Sequence, residues 1–559
     1  MSALSILPGT DVLIVGGGPV GLALAVELGH RGVACTLVEQ RDRARLVPRA
    51  KLLNVRSMEH MRRWGIAEDV RSASPLPASY STDIAFVTSV FGHEITRFTD
   101  VFFTEMRQDQ RFAEPAQQIP QYIAEPVLRR HAERLASVTF LDGWRVESVI
   151  EQGPGVTVGM RRGEIARTIE AAYVVGCDGA GSTVRDEVGI EMVGTRAMAR
   201  NFGVVFRAPK LAARIPHEPA LHFWTVNPNT PSYMGPSDQN GLWWLQATAI
   251  PTDVDVSTLD PVKVVSGALG DDVAMEVVST DPWEAHALTA ERVSRGRVFL
   301  AGDAAHMHTP MGAHGMNQGI GDAVDLGWKL AAVVAGWADP EILCSYERER
   351  GPLHQRIADE ATGNYSTVAN YFVRAGLADD SDAGRSMREQ LGEEIRKRKA
   401  REFYSLGLIL GHCYEGSPIV VPDGTDAPPP EVETFTPRAR PGSRAPHGWI
   451  EAGESLFDAF GKGFTLLRFA DGDGHRFIDD VAARRGIPLT SVKVSDPAVR
   501  ALYDFDLALI RPDQVLAWHG NTLGRASAGR ILDIVTGHAV APDVAADGPH
   551  VVVEPEADA

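Results

Sequence analysis

The sequence predicts an α/β protein built on a parallel sheet, with a second, antiparallel layer inserted into it and a small α/β domain at the end. Three observations carry this. A β-branched run, Asp11–Val15, meets a cluster of glycines and then Pro19–Arg31, whose apolar positions recur at helical spacing. Short aromatic-rich alternating runs at Ile84–Thr96 and Phe202–Thr248 are flanked by renewed α/β signals at Ala172–Gly176 and Arg297–Ala301. A Pro-dense stretch, Val421–Pro446, then separates everything before it from a fresh set of strands and helices.

In chain order, Thr36–Glu39 supplies the second strand of a βαβ unit. The nucleotide-binding layer is expected in three pieces, 1–80, 120–190 and 285–420, the last including long helices at Gly319–Ala335 and Pro340–Ala361. The inserted mixed or antiparallel sheet occupies 81–119 and 191–284 and is the expected substrate domain. Residues 421–446 read as an extended linker. In 447–559, strands are expected at Phe464–Phe469, Thr490–Val494 and Phe505–Ile510, and helices near Phe477–Arg485 and Ala526–Val535. The Ala/Asp/Pro-rich Pro542–Ala559 is expected to fray.

With 559 residues, 44% hydrophobic and 23% charged, the chain can bury more than one core. A formal charge of −18 repels phosphate backbones and argues against nucleic acid as a partner; the Arg396–Arg401 stretch (RKRKAR) reads as a solvated helix face. Cys35, Cys177, Cys344 and Cys413 show no pairing or metal-type spacing, which suits a reducing compartment. Met1–Pro8 lacks a basic n-region, and the apolar run Leu326–Trp337 is short and interrupted by Lys329, so a cytoplasmic protein with no membrane partner is expected. His306, His308 and His314 have no dedicated carboxylate ligand in the pattern, and no metal is expected.

Gly16, Gly18 and Gly21 form G-x-G-x-x-G between a strand and a helix begun by Pro19, and Glu39, followed by Gln40, closes the second strand. The glycines let backbone turn tightly against a pyrophosphate at the helix N-terminus, and Glu39 can accept hydrogen bonds from a ribose. Two further segments narrow the choice of dinucleotide. Val174–Arg185 (VVGCDGAGSTVR) places Asp178 and Gly179 after a strand; Gly296–Asp303 (GRVFLAGD) ends a strand on Gly302 and Asp303 and leads into Ala304–Trp328 (AAHMHTPMGAHGMNQGIGDAVDLGW).

In this order the three segments resemble the single-component, class A FAD-dependent aromatic hydroxylases, a family that includes para-hydroxybenzoate, phenol and aromatic polyketide hydroxylases. The resemblance implies a Rossmann-like FAD-binding domain, with Gly16, Gly18 and Gly21 at the pyrophosphate, Asp303 on the ribityl and ribose hydroxyls, Arg49 in PRAK near the pyrophosphate and Gln121 near the ribityl chain. Asp178 would touch FAD and the nicotinamide nucleotide; capping of a turn with Ser182 is the alternative. The amides of Gly315, Met316 and Asn317, at a helix N-terminus after Gly312, would favour the negative charge of a reduced flavin. The implied cycle is hydride transfer from NADH or NADPH, reaction with dioxygen to a C4a-hydroperoxide, and OH transfer to a small aromatic substrate.

Within that resemblance, Pro310 sits on the loop whose carbonyl can bond a substrate hydroxyl, and His314 is a candidate proton relay or a structural histidine. His222, Trp224 and Trp243 are the aromatic substrate candidates, with His222 and Trp224 on one face of their strand. Asp325 stands where relatives often have Asn, and His314 where Arg or another residue is common. The last domain resembles the thioredoxin-like appendage of the phenol-hydroxylase branch; it has no cysteine, which leaves a structural role or self-association as a homodimer or higher homo-oligomer. Baeyer–Villiger or epoxidising oxygen transfer is the enzymatic alternative, and a non-oxygenating flavoprotein scaffold is the alternative of another class.

Overall fold

The computed structural model describes residues 5–41, 50–251, 253–451, 453–471, 475–539 and 541. Its first sheet has nine strands, with a path running Ser294–Arg295, Val298–Leu300, Ile165–Gly176, Thr10–Val15, Cys35–Glu39 and Val138–Asp142. From Val298–Leu300 onward the pairing along this path is parallel, with Val15 opposite both Gly176 and Val38. Val12, Leu13 and Ile14 are wholly buried within the main core, which is why the strand reads as an unbroken apolar run. Arg145–Gln152 and Gly155–Arg162 join the same sheet as an antiparallel meander beside the first half of Ile165–Gly176.

The second sheet has eight strands in the order His306–Met307, Glu276–Ala290, Met192–Arg207, Leu242–Ile250, Ser232–Pro236, His222–Thr225, Ile84–Val87 and Glu94–Phe98. Its strands alternate along the chain with those of the first sheet, so the inserted layer expected from the sequence is present. Strand alternation divides its side chains between two cores. Phe86, Trp224, Tyr233 and Trp244 pack on one face; Phe223, Met234, Trp243 and Leu245 pack on the other.

Several helices differ from expectation. The long helix spans Gly315–Val334 rather than starting at Gly319, because Asn317 anchors its first turn: its Nδ2 donates to the Ala313 and Leu52 carbonyls, and its Oδ1 accepts from the Asn54 N–H. Pro340–Cys344 is a 3-10 turn leading into the helix Ser345–Tyr365. The helix face expected of the Arg396–Arg401 stretch is the last part of a 22-residue helix, Asp382–Phe403, whose earlier turns the sequence reading leaves unassigned. Lys399 of that stretch is buried rather than solvated, pairing with Glu402 and lying 4.5 Å above the Trp224 ring. No helix among the described residues is long and apolar enough to cross a membrane.

Residues 421–440 contain neither helix nor strand. Beyond them a four-stranded sheet runs Leu489–Lys493, Phe464–Arg468, Leu507–Ile510 and Leu516–Gly520, with helices Arg476–Arg485, Pro497–Tyr503 and Arg525–Val535. The segment expected to fray, Pro542–Ala559, lies outside the described residues.

This last unit is joined to the first by charge. Arg511 is fully buried and donates to both Glu349 oxygens and to Asp513, with Asp325 at 3.4 Å; Lys329 bonds Asp325 at 2.7 Å and Glu349 at 2.6 Å. Burial pushes the Asp325 carboxyl upward against the pull of Lys329, whereas the two cations outweigh burial at Glu349 and hold it down. An Arg511→Leu change leaves three buried carboxylates with one cation among them. It is expected to destabilise the protein by about 3–5 kcal/mol in urea denaturation.

Two other buried carboxylates set the acid limit. Burial alone would raise Glu27, but Arg63 and Arg31 hold it down to about 2; Arg444 and Arg56 do the same for Glu59. Carboxyls depressed on folding contribute stability above their ordinary value of 4.5, and lose that contribution as pH falls toward 2. Thermal midpoints measured from pH 6 to pH 2.5 should therefore decline steeply below about 4.5. Glu27→Gln should be less stable at pH 6, and its midpoint should fall less across that range.

Candidate active site

One cavity of about 800 Å³ joins the two sheets. At one end lie Gly16, Gly18, Pro19, Glu39, Gln40 and Asp178; Gln121, Asp303, Gly315 and Met316 line its course; His222, Tyr233, Trp244 and Trp283 line the other end. The loop from Met307 to Pro310 faces it as well.

The glycine loop works by close approach. Gly16 has φ +109°, and a Cβ there would lie 2.4 Å from the Cys177 carbonyl oxygen; one on Gly21 would lie 2.0 Å from the Gly16 oxygen. Gly21 therefore does not line the cavity but lets the helix seat against the strand. A Cβ on Gly18 would meet nothing within 4 Å, so this turn presents bare backbone to an open cradle at the N-terminus of Pro19–His30. Glu39 Oε2 accepts from the Gly17 N–H at 2.7 Å and Oε1 from the Arg41 N–H, fixing the carboxylate at the cavity edge. Cradle, helix terminus and acid together fit a dinucleotide.

Asp178 accepts from the Ser182 hydroxyl and from the Val184 N–H, so its carboxylate caps a short helix while also lining the cavity. Gln121 Nε2 donates to Glu125 at 2.7 Å. Arg49 lies outside the described residues. Among the helix-terminus candidates, Gly315 and Met316 reach the cavity, whereas Asn317 and Gly312 support it from behind. Gly312 has φ +81°, and a Cβ there would strike the His314 ring.

His314 is corrected as a proton relay. Its ring is buried and does not line the cavity; burial, followed by the charge of His308, pushes it down to about 3, so it stays neutral where a relay near neutrality would have to titrate. Pro310 does line the cavity, and its carbonyl accepts from the Ala313 N–H at 3.1 Å across a tight turn.

Two substrate candidates are also corrected. Trp243 packs on the far face of the second sheet, away from the cavity, because odd and even positions of Leu242–Ile250 face opposite ways. Trp224 shares the cavity's face but is sandwiched between Phe86 and Tyr233 at 5.2 and 4.9 Å, with Lys399 above it, and does not line the cavity. His222 does line it.

Sequence reasoning missed Trp244, Tyr233, Phe102, Trp283, Lys51 and His306, all on the cavity wall. The adjacent Trp243 and Trp244 of Leu242–Gln246 (LWWLQ) could have signalled that one tryptophan faces each layer, but not which layer faces the cofactor. His306 pairs with Asp322, which His354 and Arg350 also bond; these three acid and imidazole groups lie close enough to suggest a metal, but the Arg350 guanidinium occupies the same carboxylate oxygen as His354.

The chain matches the FAD binding domain family over residues 9–361 and the aromatic-ring hydroxylase C-terminal family over 438–539. It is 30% identical to the FAD-dependent monooxygenase apdD of Emericella nidulans, covering 96% of this chain and 92% of that one. It is 32% identical to the tetracenomycin B2 monooxygenase-dioxygenase of Streptomyces olivaceus, covering 91% and 95%. Among solved structures, chromopyrrolic acid-soaked RebC with bound 7-carboxy-K252c superposes with a TM-score of 0.88 at 36% identity, covering 96% of this chain and 100% of that one. Aklavinone-11 hydroxylase in ternary complex with FAD and aklavinone gives 0.82 at 28% identity, covering 94% and 99%. A cavity bounded by a dinucleotide cradle and an aromatic wall, matched along nearly the whole chain, places this protein in the FAD-dependent, class A aromatic hydroxylase family of monooxygenases.

Proposed function

We propose that this flavin-dependent aromatic hydroxylase acts on a phenolic substrate with fused rings. The observation that carries the reading is the continuity of the cavity from the glycine cradle to a wall of Phe102, Tyr233, Trp244 and Trp283. Such a wall offers flat apolar area to more than one ring. The names of similar proteins support it: RebC is described with 7-carboxy-K252c bound and aklavinone-11 hydroxylase with aklavinone.

When bound, FAD supplies the redox chemistry: reduced by NADH or NADPH, it activates dioxygen for insertion of one oxygen atom into the ring. The residues of this chain do the rest. Gly16 and Gly18 would receive the pyrophosphate, Glu39 the adenosine ribose, and Asp303 and Gln121 the ribityl region. The first-turn amides of Gly315 and Met316 favour negative charge beside them. The Pro310 carbonyl, bonded on one side by Ala313, keeps a second lone pair with which to accept a substrate hydroxyl. The aromatic wall orients the ring and keeps water away.

With purified holoenzyme, 1-naphthol or 2-naphthol should accelerate NADH or NADPH oxidation at least tenfold more than phenol does, and the product should carry one atom from 18O-labelled dioxygen. Acceleration by phenol alone would refute the fused-ring assignment. Pro310→Ala keeps the carbonyl but loosens the turn that aims it, and should release more hydrogen peroxide per coenzyme oxidised; unchanged coupling would show that the proline ring is not needed to aim it. Gly21→Val, which forces the helix off the strand, should purify without the yellow absorbance of bound flavin.

A further inference from the structure

The aromatic end of the cavity also holds basic nitrogen. Lys51 lies just before the short strand Leu52–Leu53, its carbonyl held by the Ile119 N–H at 2.8 Å and its Nζ 3.8 Å above the centre of the Trp244 ring. His222, at the start of its strand, meets the same indole edge-on at 5.0 Å. Both side chains line the cavity. The His222 Nε2 and the Trp244 Nε1 are buried and lack a hydrogen-bond partner among the described residues.

These groups share one electrostatic neighbourhood. Burial pushes the Lys51 amine down to about 7, and burial together with the Lys51 charge pushes His222 down to about 3. His222 therefore enters as a neutral ring. Lys51 sits near the midpoint between its two forms, where an anion placed against it would draw it to the charged one. An N–H donor unpaired inside a cavity costs free energy until a guest supplies an acceptor.

Resting on the hydroxylase reading above, we propose that Lys51 and His222 form a subsite for an anionic oxygen carried on the aromatic substrate, so that this enzyme selects acidic aromatics over neutral ones of the same shape. Trp244 is its platform: the lysine rides on the ring face while the indole N–H is left to the guest. At pH 7 a carboxylate supplies the anionic oxygen, whereas a simple phenol is still protonated.

The test is binding to the oxidised holoenzyme, read from the flavin difference spectrum at pH 7. Three fused-ring probes isolate the carboxylate: 3-hydroxy-2-naphthoate, its near-isosteric neutral amide 3-hydroxy-2-naphthamide, and 2-naphthoate, which has the carboxylate without the hydroxyl. The wild-type protein should bind 3-hydroxy-2-naphthoate at least tenfold more tightly than the amide. If 2-naphthoate keeps that preference the carboxylate alone is recognised; if it binds no better than the amide, the carboxylate is recognised together with its neighbouring hydroxyl. Lys51→Met should bring the acid-to-amide ratio near one, Lys51→Arg should keep most of it, and His222→Phe should reduce it in part. A wild-type ratio near one overturns the proposal without any variant, and so does a ratio unchanged in Lys51→Met. Should the naphthols fail to stimulate coenzyme oxidation while the ratio still collapses in Lys51→Met, the substrate reading falls and the subsite stands.

Discussion

A single buried carboxylate organises the floor of the active site. Asp322 Oδ2 accepts from the Gly302 N–H at 3.1 Å and pairs with His306 Nε2 at 2.8 Å; Oδ1 meets Arg350 Nε at 2.8 Å and His354 Nε2 at 2.7 Å. Through those four bonds it ties the turn bearing Asp303, the strand that precedes the Pro310 loop, and the helices Gly315–Val334 and Ser345–Tyr365 to one point. Burial would raise Asp322, but His354, Arg350 and His306 outweigh it and keep the carboxyl well below its ordinary range. An interior anion so fully bonded leaves its neighbours a single arrangement.

The network continues outward. Arg350 donates to the Gln318 carbonyl and side chain and approaches the Tyr414 hydroxyl, and Glu349 beside it receives Arg511 from the last domain. The long helix is thus held at its N-terminus by Asn317, at its middle by Asp322, and further along by the Asp325–Lys329–Glu349 cluster. A cavity that must position an aromatic ring against a cofactor gains from a helix pinned at three levels, since small displacements weaken catalysis.

The parts legible in the sequence were those where backbone geometry dictates residue type. Gly16 and Gly21 could be read because no other residue tolerates carbonyl oxygens so close, and Glu39 because the second strand ends at a fixed distance from them. The interleaved sheets could be read because a parallel strand covered on both faces looks unlike an alternating one. What escaped depended on which face meets which layer. Trp243 and Trp244 are neighbours of identical type, and only tertiary packing assigns one to the core and the other to the cavity. Lys399 looked solvated within a run of basic residues, yet Glu402 one turn along and Trp224 beneath it make its burial stable. The turns of Asp382–Phe403 before Arg396 escaped because the apolar stripe is thin among the charges.

The buried charges shared across the domain boundary bear on how enzymes of this design can be recombined. Arg511 belongs to the terminal unit, whereas Glu349, Asp325 and Lys329 belong to the flavin-bearing one. A chimera that grafts another protein's terminal unit onto residues 1–437 must bring an arginine to the same spot, or else strand acids in the interior of its host. The seam is therefore keyed: the two halves are exchangeable only between parents whose interior charges already match.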